Sequence, residues 1–243
     1  MHKIISKTVI TLLTLLLTAN LALAANGRLG QAPGSMGGGD ALALLPYEEL
    51  SETEIEALTY MVEEEKVARD VYNALYELWE LPIFANIAAS EQRHMDAVAA
   101  LLDKYGLVNP AVLEAGFFAD GDLQTLYDNL VAEGSKSIED ALLVGATIED
   151  LDIYDLKVEL TLVDNQDILQ VFSQLEAGSE NHLRAFTTLL VVYGYAPYQA
   201  QFLSQEEIDA ILAASPEKVT GKNDRELKRL DADGDGVCDF LQQ

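Results

Sequence analysis

Between Ser51 and Tyr193 the apolar residues recur at alternating steps of three and four, the spacing that lines one face of an α-helix. Four stretches carry the pattern far enough to predict long helices. The first runs from about Glu52 to Trp79 and stops before Pro82; the second runs from about Ile83 to Tyr105 and stops at Gly106. The third starts at Ser137 and continues to about Leu162; the fourth runs from about Gln166 to Tyr193 and ends at Gly194. Ser51-Glu52-Thr53-Glu54 and Ser137-Ile138-Glu139-Asp140 offer starting caps, a hydroxyl to accept from a free backbone N–H and an acid to reach back. About 30 residues separate the second and third helices, with a short helix predicted near Leu123–Val131. β-Branched runs are short and sit inside the helical period, so strands are not expected. Short, long and short connections predict an all-α chain, a four-helix bundle with one long crossover between helices 2 and 3.

The inward seam of each helix is apolar at its ends and polar near its middle. The first reads Ile55, Leu58, Val62, Glu65, Arg69, Tyr72, Tyr76, Trp79; the second reads Phe84, Ile87, Glu91, His94, Val98, Leu101, Tyr105. The third reads Ile138, Leu142, Gly145, Glu149, Asp152, Leu156; the fourth reads Ile168, Phe172, Leu175, Ser179, His182, Phe186, Leu189, Tyr193. Burying an unpaired carboxylate costs several kcal/mol. Glu65, Glu91, Glu149 and Asp152 at one level of a bundle therefore need positive charge, and Arg69 brings only one unit. Two divalent cations would balance them, and glutamate with histidine suits iron or manganese. Glu91 and His94 are three residues apart, on one helical face, and can share an ion. A lone glutamate on a helix is usually solvated. By the helical period Glu63 points away from the apolar face and Glu64 lies on its flank, whereas Glu65 falls inside it.

Composition moves this picture one way. Asp and Glu outnumber Lys and Arg by 41 to 15, for a formal charge of −26. A field of that sign excludes nucleic acid as a partner and attracts cations. The one cysteine, Cys238, excludes an internal disulfide framework and a thiolate-rich zinc site. Residues 1–24 read as a signal peptide. Lys3 and Lys7 precede a largely apolar run from Val9 to Leu23, and Ala22-Leu23-Ala24 forms a small-residue cleavage site. Cleavage would remove both lysines and no acid, taking the charge from −26 to −28. It would also remove His2, leaving His94 and His182 as the mature histidines. The expected product is exported, periplasmic or secreted, with no stable membrane span after cleavage. Residues 25–47 read as a flexible Gly-rich linker, 48–214 as the helical domain and 215–243 as an acidic tail. In that tail Asp231, Asp233, Asp235 and Asp239 surround glycines in the manner of a calcium loop, though Gln242 stands where an EF-hand places glutamate. Weak calcium binding and a merely solvated turn are both open, as are a free thiol and an intermolecular bridge at Cys238.

The run Glu65-Lys66-Val67-Ala68-Arg69-Asp70-Val71-Tyr72 resembles the Glu-x-x-Ala-Arg-x-x-Tyr first helix of rubrerythrin-type ferritin-like proteins, and Glu91-x-x-His94 resembles their second-helix ligand pair. The wider stretch, including Ser90 to Val98 and Gly178 to Phe186, is similar to a prokaryotic ferritin-like family over about residues 48–195. The resemblance implies a ferritin-like bundle with Glu65, Glu91, His94, Glu149 and His182 as di-iron ligands, Glu91 or Glu149 bridging. It implies dioxygen or peroxide as co-reactant. The fourth helix departs from the pattern: Ser179 stands three residues before His182, where a second Glu-x-x-His would have its acid. Either the second ion is held less tightly or absent, or Asp152, one turn past Glu149, completes the set. No rubredoxin-like Cys-x-x-Cys is present, so rubrerythrin's own electron path is missing. Arg69 is expected to orient a carboxylate. Tyr72 either packs in the core or hydrogen-bonds a ligand, and Tyr76, Trp79 and Phe186 are expected in the core. The expected function is an exported metal-binding protein with a di-iron or di-manganese site, acting as an oxidase or peroxidase. The alternative is a non-enzymatic metal-binding or helical interaction protein of the cell envelope, with a homo-oligomer open in either case.

Overall fold

A computed structural model describes residues 47–214. The expected signal peptide, most of the linker and the tail with Asp231, Asp233, Asp235, Cys238 and Asp239 lie outside the described residues. Within them the chain is all-helical, with six helices and no strand: α1 Glu52–Trp79, α2 Pro82–Lys104, α3 Gly121–Gly134, α4 Ile138–Glu159, α5 Gln166–Val192 and α6 Gln205–Ala213.

Local chemistry sets these boundaries. The Ser51 hydroxyl accepts from the Glu54 N–H at 3.2 Å while the Glu54 carboxylate accepts from the Ser51 N–H at 2.8 Å, a reciprocal cap. The other Glu54 oxygen accepts from the backbone N–H groups of Asp164 and Asn165, fastening the start of α1 to the turn between α4 and α5. Pro82 pushes Leu81 into an extended conformation, so α1 ends at Glu80, which takes φ 53°. Gly106 at φ 68° ends α2. The pattern did not predict α6. Its Ser204 cap closes on Glu207 as Ser51 closes on Glu54, but nine residues are too few to show a helical period.

α1 packs along α2, and α4 along α5; the two pairs meet where α1 faces α4 and α2 faces α5. The crossover helix α3 lies against α1 and α4. The interior is divided. One apolar cluster gathers Tyr72, Phe84, Leu142, Phe186 and their neighbours; the other gathers Leu58, Val62, Leu101, Phe172 and theirs. Between them lies the polar middle of the seams.

Two outer layers bury more of the central helices than their seams alone would. On α1, Lys66 is fully buried, donating to Asp70 at 2.6 Å and to the backbone carbonyls of Glu114 and Phe117 in the crossover. Asp70 in turn accepts from the Gly116 N–H at 2.9 Å. On α4, Asp150 accepts from the backbone N–H groups of Gln201, Phe202 and Leu203 and from the Tyr198 hydroxyl, so residues 198–203 are held over the back of the helix. Two expectations are corrected. Glu63 and Glu64 are not solvated but 9% and 4% exposed. Tyr76 moves the other way: it sits 40% exposed, past the reach of the layers, and Trp79 is only half-buried, donating its indole N–H to the Gly134 carbonyl.

Candidate metal centre

Three helical seams bring carboxylates to the polar layer and two bring imidazoles. Glu65 (α1), Glu91 (α2) and Glu149 (α4) are each fully buried, while His94 (α2) and His182 (α5) are mostly buried with a thin exposed edge. They form two groups that share one member: Glu65, Glu91 and His94 in the first, Glu91, Glu149 and His182 in the second. Within each group the candidate donor atoms lie within 4.8 Å of one another. Glu91 sits between the histidines, with Oε2 2.7 Å from His94 Nδ1 and Oε1 2.7 Å from His182 Nδ1. The outer carboxylates stand farther off, Glu65 Oε2 at 3.2 Å from His94 and Glu149 Oε2 at 3.4 Å from His182. The two rings are stacked, centroids 5.6 Å apart.

The spine of α5 comes close to this layer. A Cβ on Gly178 would stand 2.7 Å from the His94 ring, so the ring occupies space that any larger residue would take. Ser179 is fully buried, and its hydroxyl turns back to the Leu175 carbonyl at 3.2 Å. It therefore donates nothing to either group. Asp152 is buried too but stands outside both groups. Tyr72 reaches the site directly: its hydroxyl donates to Glu149 Oε1 at 2.5 Å, leaving Oε2 turned toward His182. Arg69 does not orient a carboxylate of this layer. Its guanidinium bonds Asp70 at 2.7 and 2.8 Å and Gln92 at 2.6 Å, because its position points to the edge between α1 and α2.

Burial and crowding set the charge states. Burial pushes the Glu65 carboxyl up to about 8, even with His94 beside it. Glu149 is raised by the same cause, and Asp152 well above its ordinary value by burial and by Glu65, Glu149 and Glu91 around it. Glu91 goes the other way: burial opposes its charge, but the rings of His182 and His94 outweigh it and hold the carboxyl well below the carboxylate range. Burial likewise opposes charge on His182, yet Glu91 and Glu149 keep its ring protonated up to about 10. His94 is raised by Glu65 and Glu91 in the same manner.

The decisive geometry is what these groups fail to do for one another. Both oxygens of Glu91, one oxygen each of Glu65, Glu149 and Asp152, and His182 Nδ1 are buried without a hydrogen-bond partner. The Glu91–His182 contact is 2.7 Å long, but the ring N–H does not point along it. Donors that share a cation stand about 3 Å apart and aim at the ion, not at each other. Asp150, next in sequence to Glu149, shows that this fold satisfies a buried carboxylate where nothing else will: four donors reach it. Each of the two groups could hold a divalent cation: Glu65, Glu91 and His94 in one, Glu91, Glu149 and His182 in the other.

The domain family described as "Uncharacterized protein domain (DUF2202)" matches residues 54–215. Uncharacterized protein MJ0754 of Methanocaldococcus jannaschii is 49% identical over 178 residues, covering 73% of this chain and 96% of the relative. The crystal structure of hypothetical protein MJ0754 from Methanococcus jannaschii DSM 2661 superposes with a TM-score of 0.69 at 50% identity, covering 71% of this chain and 99% of that one.

Proposed function

The chain belongs to the DUF2202 domain family, and we propose that it is an exported, ferritin-like four-helix-bundle protein that holds two iron or manganese ions and reacts with dioxygen or peroxide. The observation that carries this reading is Glu91: a fully buried carboxylate with no hydrogen bond to either oxygen, each oxygen 2.7 Å from a different imidazole. A purely structural carboxylate in that position would be satisfied as Asp150 is.

When bound, a reduced iron pair supplies the electrons for dioxygen or peroxide. The chain's own residues do the rest. Glu91 would be shared by the two ions, with Glu65 and His94 holding one and Glu149 and His182 holding the other. Tyr72 fixes Glu149 through its hydroxyl and keeps one oxygen free to face the pair. Tyr72, Phe84 and Phe186 pack ring against ring with centroids 5.3 to 6.3 Å apart, excluding water from that side of the layer. The thin exposed edges of His94 and His182 leave the opposite side as the approach for a small co-reactant.

Anaerobic loading of the metal-free protein with ferrous iron, followed by dioxygen or peroxide, tests this. The expected result is oxidant consumption and an antiferromagnetically coupled ferric pair by Mössbauer spectroscopy. Uncoupled, high-spin ferric iron alone would overturn the shared role of Glu91. A coupled pair formed without turnover on repeated reduction would favour storage or sensing over catalysis.

A further inference from the structure

Gly178 lies inside α5, where glycine is less favourable than alanine because its backbone has more freedom to lose. Its own backbone does not call for glycine: unlike Gly106, Gly116 and Gly194, it has no positive φ. Packing does. A Cβ there would stand 2.7 Å from both Cε1 and Nε2 of His94 and 4.0 Å from its Cδ2. These are the three nearest atoms, all from one ring, and none belongs to the backbone of α2. The close approach is therefore between the spine of α5 and a single side chain.

That ring is held from two sides. Its Cε1 and Nε2 lie against α5, while Nδ1 is 2.7 Å from Glu91 Oε2 and 3.2 Å from Glu65 Oε2. The far end of a side chain can retreat from a new methyl, but Nδ1 is already in contact with Glu91. The ring can then give way only by rotating, which takes Nδ1 off the two carboxylates. His182 is spared: it is carried by α5 itself, one turn after Gly178, and none of its atoms is among the nearest to that Cβ.

We propose that Gly178 is the positioning residue for His94: the missing methyl lets α5 hold the ring with Nδ1 turned to Glu65 and Glu91. The coupling of Gly178 to the ring stands on geometry alone; its consequence for metal rests on the proposed reading of the pair. A ligand must be held within about 0.5 Å of its working place. A methyl at 178 should therefore cost the ion of Glu65, Glu91 and His94 and spare that of Glu91, Glu149 and His182.

Gly178→Ala, made in wild type and in His94→Ala, tests the coupling without metal. In wild type the methyl meets the ring; in His94→Ala it enters the space the ring has left and adds alanine's better fit to a helix. The shift in melting temperature caused by Gly178→Ala should be more positive in the His94→Ala background. Equal shifts in the two backgrounds would overturn the proposal. Manganese titration, read by the electron paramagnetic resonance of free ion and by anomalous diffraction from loaded crystals, tests the consequence. Wild type should take up two ions per chain and Gly178→Ala one, beside Glu149 and His182. Two ions in the variant would overturn the positioning role and leave the pair standing, and loss of both would overturn its confinement to His94. No uptake by wild type, with unequal melting shifts, would overturn the pair and uphold the coupling of Gly178 to the ring.

Discussion

Glu149 and Asp150 are neighbours on one helix, both without measurable exposure, and their surroundings differ completely. Asp150 collects four hydrogen-bond donors, so both of its buried oxygens are satisfied. Glu149 receives one, from Tyr72, and keeps an oxygen unpartnered beside His182. Without metal, protons must do what cations would otherwise do, and this gives the protein a pH signature. Glu65, raised from 4.5 to about 8, favours folding only while neutral, so its contribution is lost as pH rises from about 4.5 through 8. His182, raised from 6.5 to about 10, adds stability in full below about 6.5 and loses it as pH rises through 10. Both slopes run downward with pH. Metal binding runs the other way, because ligands must shed these protons before a cation can enter. The metal-free protein should therefore melt at progressively lower temperature from pH 5 to pH 9, while the stabilisation added by manganese grows over the same range. Anaerobic thermal melts at pH 5, 7 and 9, with and without the ion, check this; a metal effect that shrinks as pH rises would contradict it.

At the scale of helices, α5 decides how symmetric the centre can be. Its Gly178 makes room for the His94 ring, and its Ser179 adds no carboxylate to the group of Glu91, Glu149 and His182. Ser179→Glu would place a carboxylate one turn before His182, facing the polar layer. Without metal the variant should lose several kcal/mol of stability from the unpaired buried charge. With ferrous iron under anaerobic conditions it should regain that stability and hold the weaker ion more tightly. Melts with chelator and with iron should then differ more for the variant than for wild type. Equal instability in both would mean that Ser179 does not face the metals.

The helices that carry the centre were legible because their seams repeat over six turns or more, long enough for period and caps to agree. Glu65, Glu91, His94, Glu149 and His182 stood out for the same reason: each interrupts an apolar stripe at the same depth. Glu64, Lys66 and Asp70 did not, since what buries them is the crossover and the facing helix α4, not the stripe of their own helix. Asp150 was hidden likewise, its partners lying about fifty residues on in sequence. Helical periodicity reports the face turned to the core, and a second layer laid over the other face leaves no trace in it. Arg69 does hold a carboxylate, but that of Asp70, because its seam position lies at the edge between α1 and α2, where Asp70 and Gln92 are its hydrogen-bond partners.

For the whole molecule, a formal charge of −26 and a concentration of unpartnered carboxylates in one buried layer act together. On the proposed reading, the outer field raises the local concentration of cations, and the layer between the two apolar clusters would hold them where burial makes each interaction strong. None of the described helices is long and apolar enough to cross a membrane. The central claim is that Glu91 is shared between two metal ions. Metal analysis of the protein purified from its own cells, beside a Glu91→Ala variant prepared identically, addresses it most directly. The account predicts about two iron or manganese ions per chain in the wild type and a loss of both in the variant, because the bridge serves each position. No transition metal above background in the native protein, and none after anaerobic ferrous loading, would contradict it.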